Sequence, residues 1–228
     1  MSLKIVVAID GYSSTGKSTV AKQLAKELGY VYVDTGAMYR AVALFTMRNN
    51  LIVDGNVNTD ALLKELPNIT ISFTFNAALG YAEVYLNNEN VESYIRGMEV
   101  SSYVSKVASI KQVREKLVLL QQAMGLEKGI VMDGRDIGTV VFPEAELKLF
   151  MTASAQTRAQ RRFDELTAKG DVITFEEVYN NVVERDHLDT TRKDSPLEMA
   201  KDAIEIDNSN LSKEEQFTKI LNLVKAKL

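Results

Sequence analysis

The chain has 228 residues, with 27 Lys and Arg against 31 Asp and Glu for a formal net charge of −4, and 46% of it is hydrophobic. This length is ample for a sizeable core, the acidic balance argues against a general nucleic-acid binder, and the lack of cysteine excludes disulfides and thiolate metal sites. No apolar run approaches the roughly 18 residues needed to span a bilayer. No secretory leader is read at the N-terminus, so a cytoplasmic location is expected, and the single histidine, His187, excludes a histidine-rich metal cluster.

In chain order, Lys4 to Ile9 reads as a short buried strand. It runs into Gly-Tyr-Ser-Ser-Thr-Gly-Lys-Ser at 11–18, a full match to the phosphate-cradling spacing in which two glycines with four residues between them precede Lys and Ser or Thr. Val20, Ala21, Leu24, Ala25 and Leu28 follow at helical spacing, and Gly29 supplies a stop. Gly11 and Gly16 let the backbone wrap a polyphosphate, with amide groups pointing inward at the helix N-terminus. Lys17 is placed to reach the β- and γ-phosphates, and the Ser18 hydroxyl to sit on Mg²⁺. Strand, loop and helix together argue for a nucleoside triphosphate site over an ordinary glycine turn.

Val31 to Val33 forms a second strand ending at Asp34, and Met38, Ala41, Val42 and Phe45 mark the inner face of a helix beginning near Gly36. Ile69, Ile71, Phe73 and Phe75 then alternate with polar residues, and Tyr81 to Leu86 can return as a partner strand. Antiparallel strands here fit an inserted subdomain, with an edge hairpin as the alternative. Ile130 to Met132 is a buried strand ending in Asp133-Gly134-Arg135-Asp136, Leu147 to Met151 is another, and Ser154 to Gly170 is strongly charged. Alternating helices and strands predict a parallel α/β sheet. Ligands in such sheets collect at the carboxyl ends of the strands, so Asp34, Asp133 and the glycine loop are expected to face one crevice.

Arg40, Arg135, Arg158, Arg161, Arg162, Arg185 and Arg192 fall within or just after segments predicted to border that crevice. Guanidinium groups match phosphate oxygens two at a time, as an enzyme joining two phosphorylated molecules requires. Arg158, Arg161 and Arg162 share one helix face, a costly arrangement unless anions meet it.

The chain resembles the bacterial-type cytidylate kinases over most of its length, through GYSSTGKST (11–19), DTGAMYR (34–40), SKVASIKQVRE (105–115), DGRDIGTVVFP (133–143), RAQRR (158–162) and RDHLDTTR (185–192). The resemblance implies one P-loop kinase domain over 1–228, a three-layer fold with a central parallel sheet of about five strands. It also implies an antiparallel NMP-binding insertion near 60–100 and a mobile lid near 154–171. The implied activity is transfer of the ATP γ-phosphoryl group to CMP or dCMP with Mg²⁺, by a monomer, with neither nucleic acid nor membrane as partner. Carried over by motif, Gly11, Tyr12, Ser13, Ser14, Thr15, Gly16, Lys17, Ser18 and Thr19 hold ATP, and Arg158 and Arg162 approach it when the lid closes. Arg40, Arg135 and Arg192 clamp the monophosphate. Ser105, Arg114 and Asp136 meet cytosine, and Thr35, Arg185 and Asp189 lie near the sugar. Lys17, Arg135, Arg162 and Arg192 are the implied catalytic set.

These residue types suit the chemistry. The acceptor is an already anionic phosphate oxygen, so positioning and positive charge matter more than a base, and His187 is read as a neighbour. Asp136 can accept from the cytosine amine while Arg114 donates to the ring acceptors; uracil would turn a carbonyl towards the carboxylate. Asp136 as a plain helix cap is the alternative. Other P-loop small-molecule kinases and a nucleotide-hydrolysing switch are the rival functions. The chain departs from the family pattern at Tyr12 and Ser14, where proline and glycine are usual, and at Thr35, where serine is frequent.

One expectation comes from helix geometry. Val100 to Leu120 shows continuous helical spacing, yet Ser105 and Arg114, nine residues apart, would point to opposite faces of an unbroken helix. Ser109-Ile110-Lys111-Gln112 spells a capping box, so one helix is predicted to end near 105–108 and another to start after Ser109 as its N-cap.

Overall fold

The structure, a computed structural model, describes residues 4–228. The chain divides into two compact units, one running to Val33 and resuming at Gln122–Leu228, the other spanning Asp34–Gln121. In chain order the elements are β1 (Val6–Gly11), α1 (Lys17–Leu28), β2 (Val31–Asp34), α2 (Thr35–Arg48), β3 (Ile52–Val53), β4 (Asn56–Val57) and α3 (Thr59–Glu65). There follow β5 (Ile71–Asn76), β6 (Tyr81–Leu86), β7 (Glu89–Asn90), α4 (Met98–Ala108), α5 (Lys111–Met124), β8 (Ile130–Asp133) and β9 (Leu147–Thr152). The last are α6 (Ala155–Ala168), α7 (Phe175–Thr191), β10 (Ile204–Asp207) and α8 (Lys213–Lys225). Among the described residues no helix is long and apolar enough to cross a membrane.

The first unit is built on a five-stranded parallel sheet in the order β10-β9-β1-β8-β2. Strand β1 is central, with Ile9 opposite Asp133 of β8 and Gly11 opposite Met151 of β9. Every residue of β1 and of β8 is buried, which explains the unbroken apolar runs in the sequence. Ile5, Ile9, Leu24, Met132 and Leu147 are among its fully buried side chains, each worth about 1.5–3 kcal/mol of burial. The parallel pairing of β1 with β8 places the ends of these strands side by side.

In the second unit α2 packs on α4 and on β6. Its small sheet pairs Ile71 with Leu86 and Asn76 with Tyr81, as the alternation predicted. The Asn76 side chain accepts from the amides of Ala78 and Leu79 to close the turn. Burial fades along β5: Ile71 is buried while Phe75 is 67% exposed.

The helix break is present, because α4 stops at Ala108 and α5 begins at Lys111. Its mechanism is not the expected one. Ser109 has helical backbone angles and caps the end of α4, and its hydroxyl donates to the Lys106 carbonyl at 2.7 Å. The hydroxyl is therefore committed backwards, and Ser109 is no N-cap. Helix α2 begins one residue before Gly36, where the Asp34 side chain accepts from the Ala37 amide at 2.9 Å.

Two positions in the glycine loop carry opposite backbone consequences. Gly11 has φ +139°, and a Cβ there would fall 2.0 Å from the Met151 carbonyl oxygen across the β1–β9 ladder. Ser14 sits at φ +58°, a left-handed conformation unfavourable for a residue with a Cβ. Gly11→Ala is therefore expected to destabilise by about 3 kcal/mol or more, and Ser14→Gly to stabilise by about 1 kcal/mol. Urea unfolding of both variants measures this; equal and small shifts would contradict the strain assignment.

Candidate active site

The loop between β1 and α1 folds over its own lysine. Gly16, left-handed at φ +86°, forms the N-cap of α1, and the buried Lys17 ammonium donates to the Tyr12 carbonyl at 2.5 Å. The Thr15 hydroxyl donates to the same carbonyl at 3.0 Å. The Asn208 amide, 1% exposed and just beyond β10, donates to the Thr15 carbonyl at 2.5 Å and braces the loop from behind. Ser13 is buried with no hydrogen-bond partner for its hydroxyl, Ser18 is half-buried, and Thr19 is exposed. The Tyr12 ring lies edge-on to Phe150, with the Arg158 guanidinium 5.0 Å from its centre. Tyr12 thus supplies packing where a proline would supply stiffness.

Asp133, at the end of β8, joins this loop. Its carboxylate accepts from the Ser18 hydroxyl at 3.0 Å and from the Tyr32 hydroxyl at 2.8 Å. A hydroxyl and a carboxylate this close are a hard oxygen pair of the kind that holds Mg²⁺. The sequence placed Asp133 at a strand end without assigning it a site; its adjacency to Ser18, 115 residues away, is set by the β1–β8 register.

A buried cluster of cations completes the unit. Arg135 donates through Nε to Asp189 at 2.8 Å, and Arg192 lies 3.9 Å from the other Asp189 oxygen. Arg185, Arg192 and Asp189 are all buried on or at the end of α7. Burial alone would raise the Asp189 carboxyl, but Arg135, Arg185 and Arg192 together hold it below the usual carboxylate range. Burial pushes the Lys17 ammonium well below its ordinary value, and Arg135 and Arg185 push it further while Asp133 and Asp10 oppose them. The cations repel one another, and a polyanion would relieve that repulsion. Asp136, 3% exposed, follows Arg135 directly.

The arginines of α6 have their own acceptors. Arg158 is 3% exposed and pairs with Asp186 through both terminal nitrogens, at 2.9 and 2.5 Å, while its Nε donates to the Ala153 carbonyl. Arg161 donates to the side chain and carbonyl of Asn208, and Arg162 pairs with Glu165 at 2.9 Å. The expectation that this face is costly unless anions meet it is answered within the protein, where Asp186 and Glu165 pair with Arg158 and Arg162 and Asn208 accepts from Arg161. Helix α6 is regular and capped by Ser154, whose hydroxyl accepts from the Thr157 amide. His187 is exposed on α7.

The second unit holds the other predicted residues. Thr35 is buried at the start of α2, and Arg40 approaches Gly36 one turn later. Ser105 and Arg114 are each 4% exposed, on α4 and α5. Arg114 donates to the Ala108 carbonyl at 3.2 Å, across the helix break, and lies 5.5 Å from the centre of the Tyr39 ring.

The chain matches the family model described as cytidylate kinase over residues 7–226. It is 67% identical over 221 residues to the cytidylate kinase of Flavobacterium johnsoniae, covering 97% of this chain and 96% of that protein. Identity to the cytidylate kinase of Flavobacterium psychrophilum is 62% over 221 residues, 97% of this chain and 98% of that one. For the cytidylate kinase of Porphyromonas gingivalis it is 57% over 213 residues, 93% and 92% of the two chains.

Asp34 yields a stability test. Burial would raise its carboxyl, but Arg96, whose Nη1 lies 2.8 Å away, together with Arg40 and the Ala37 amide brings it down to about 2. A depressed carboxyl contributes stability that is complete above its unfolded value near 3.8 and is lost as pH falls through 2. Unfolding free energy is expected to drop by about 2 kcal/mol on this account between pH 4 and pH 2. Asp34→Asn should flatten that part of the urea-unfolding profile; an undiminished slope in the variant would reassign the acid sensitivity elsewhere.

Proposed function

The chain belongs to the cytidylate kinase family, and we propose that it transfers the γ-phosphoryl group of ATP to CMP or dCMP, giving ADP and CDP or dCDP. The carrying observation is the gathering of Arg135, Arg185 and Arg192 around Asp189, with the buried Lys17 near Arg135 and Arg185, and with Ser18 at the start of α1 bonded to Asp133 at the end of β8. Such charge suits a reaction whose main obstacle is the repulsion of two polyanions.

In this mechanism the amides of residues 11–19 and Lys17 hold the ATP phosphates. Lys17 leaves the Tyr12 carbonyl to follow the migrating group, and the lowered affinity of its ammonium for a proton is restored by the phosphate charge. Ser18 and Asp133 would hold Mg²⁺, which supplies charge neutralisation on the phosphate oxygens when bound. Arg40, Arg135 and Arg192 take the monophosphate; Arg135 and Arg192 are pre-set by Asp189. Ser105, Arg114 and Asp136 select cytosine, Thr35, Arg185 and Asp189 receive the sugar, and Arg158 and Arg162 approach ATP as the segment 154–171 closes. The acceptor oxygen is anionic near neutral pH, so no side chain need remove a proton from it. The NMP-binding insertion is assigned to residues 60–100. Each chain carries the whole residue set, in keeping with a cytoplasmic monomer that uses neither nucleic acid nor membrane.

Two measurements test this. ADP formation from ATP across CMP, dCMP, UMP and AMP is expected to favour the cytidine nucleotides, to fall at least about 100-fold in Lys17→Ala, and to lose discrimination between CMP and UMP in Asp136→Asn. Hydrolysis of ATP that ignores CMP would overturn the transfer assignment. Hydrogen exchange in residues 154–171 is expected to slow when ATP and CMP analogues bind together; protection already complete in the free protein would exclude a mobile lid.

A further inference from the structure

Asp10 is the last side chain before the glycine loop, yet its hydrogen bonds run to a different segment. It is 4% exposed, and each of its oxygens accepts a backbone amide: Oδ1 from Ile137 at 2.8 Å and Oδ2 from Gly138 at 2.7 Å. Those two residues directly follow Arg135 and Asp136 and open the wide helical turn Ile137–Val141. Asp136 itself sits at φ −148° and ψ 26°, a sparsely populated conformation for which its own side chain makes no capping bond. Such a backbone persists only where its surroundings over-determine it.

The far end of the same segment is tied down similarly. Lys148 is 7% exposed on β9, and its ammonium donates to the Pro143 carbonyl and to Asp202 at 2.9 Å. Lys148 lies opposite Ala8 and Phe150 opposite Asp10, so Asp10 and Lys148 share one face of the sheet. Gly138 lies against both: a Cβ there would come within 3.3 Å of Asp10 Oδ2 and 3.2 Å of Lys148 Cδ. Residues 136–143 are thus pinned by two buried charges from adjacent strands. Burial pushes the Asp10 carboxyl up to about 7 even though the Gly138 and Ile137 amides pull it down. Desolvation of an ionised group there is unfavourable, offset in part by the two amide bonds and by Lys17.

We propose that Asp10 is a positioning residue for acceptor selection: by bonding the Ile137 and Gly138 amides it fixes Asp136 in the orientation that reads cytosine. The role rests on the assignment of Asp136 to the base. It deepens that assignment by naming the strand-borne group that sets the angle of the selecting carboxylate. A carboxylate is required because only an acceptor-only group can take both amide hydrogens.

The test is steady-state kinetics of CMP, UMP and ATP use by the wild type, Asp10→Asn and Asp136→Asn. Asp10→Asn turns an NH₂ group towards one amide. It is expected to lower the CMP-to-UMP ratio of kcat/KM by about tenfold or more, with the KM for ATP within about twofold of wild type. An unchanged ratio in Asp10→Asn, while Asp136→Asn shifts it, overturns the positioning role alone. Proportional losses for CMP, UMP and ATP also overturn it, since a scaffold defect would not choose between bases. An unchanged ratio in Asp136→Asn overturns the base assignment and the positioning role together. Should Asp10→Asn not fold, Gly138→Ala, which crowds the same junction from the other side, carries the same expectation and the same refutations.

Discussion

Burying like charges near one another is the constraint that organises the first unit. Lys17, Arg185 and Arg192 are each less than a tenth exposed and Arg135 is half-buried, and each would be expelled to solvent without a nearby acceptor. Asp189 serves three of these guanidinium groups and Asp133 lies near the ammonium. Asp10, Asp133, Asp186 and Asp189 offset this positive charge within the protein. They also fix rotamers: Arg135 is held by Asp189 through Nε and by the Gly134 carbonyl through Nη1. The arrangement is preorganised charge, whose reorganisation cost is met on folding and not at the moment of reaction.

The same logic separates two kinds of arginine that the sequence could not distinguish. Arg158 is held by Asp186, the Ala153 carbonyl and the Tyr12 ring, whereas Arg135, Arg185 and Arg192 converge on Asp189, with Asp133 and Asp186 also near Arg135. Spacing on α6 revealed a common face but not the acceptors on α7, because Arg158 and Asp186 are 28 residues apart. Features whose partners are local were legible: the glycine loop, the β5–β6 register, and Asp34 before α2. Features made by strand register were not. Asp133 meets Ser18, and Asp10 meets Ile137 and Gly138, only because β1 pairs with β8 in parallel. Ser109 shows the opposite error. Its local pattern fits an N-cap, yet the same hydroxyl can donate to the preceding turn, and the chain uses that bond.

The glycine loop shows how a departure from a family pattern is absorbed. Tyr12 gains contacts with Phe150 and Arg158, so stiffness that a proline ring would impose through φ comes from side-chain packing. Ser14 gains nothing comparable and keeps a left-handed backbone. The loop tolerates this because both flanks are fixed independently. Gly11 is locked against Met151, and Thr15 is held by Asn208. Strain at one residue is affordable when its neighbours cannot move to relieve it.

Asn208 and Asp10 extend that argument from geometry to chemistry. Each bonds the backbone of a segment to which the proposed mechanism gives a role: Asn208 the carbonyl of Thr15, Asp10 the amides beyond Asp136. Backbone groups cannot be exchanged by side-chain variation, so the segments they anchor keep their shape while the side chains they present can differ. The end of β1 therefore has two functions separated by one residue. In the proposed mechanism Gly11 shapes the cradle for the donor, and Asp10 holds the segment that carries Asp136, the carboxylate proposed to select the acceptor. A displacement of β1 relative to β8 would disturb both at once, which places the precision of transfer in the register of two buried strands and not in any single catalytic group.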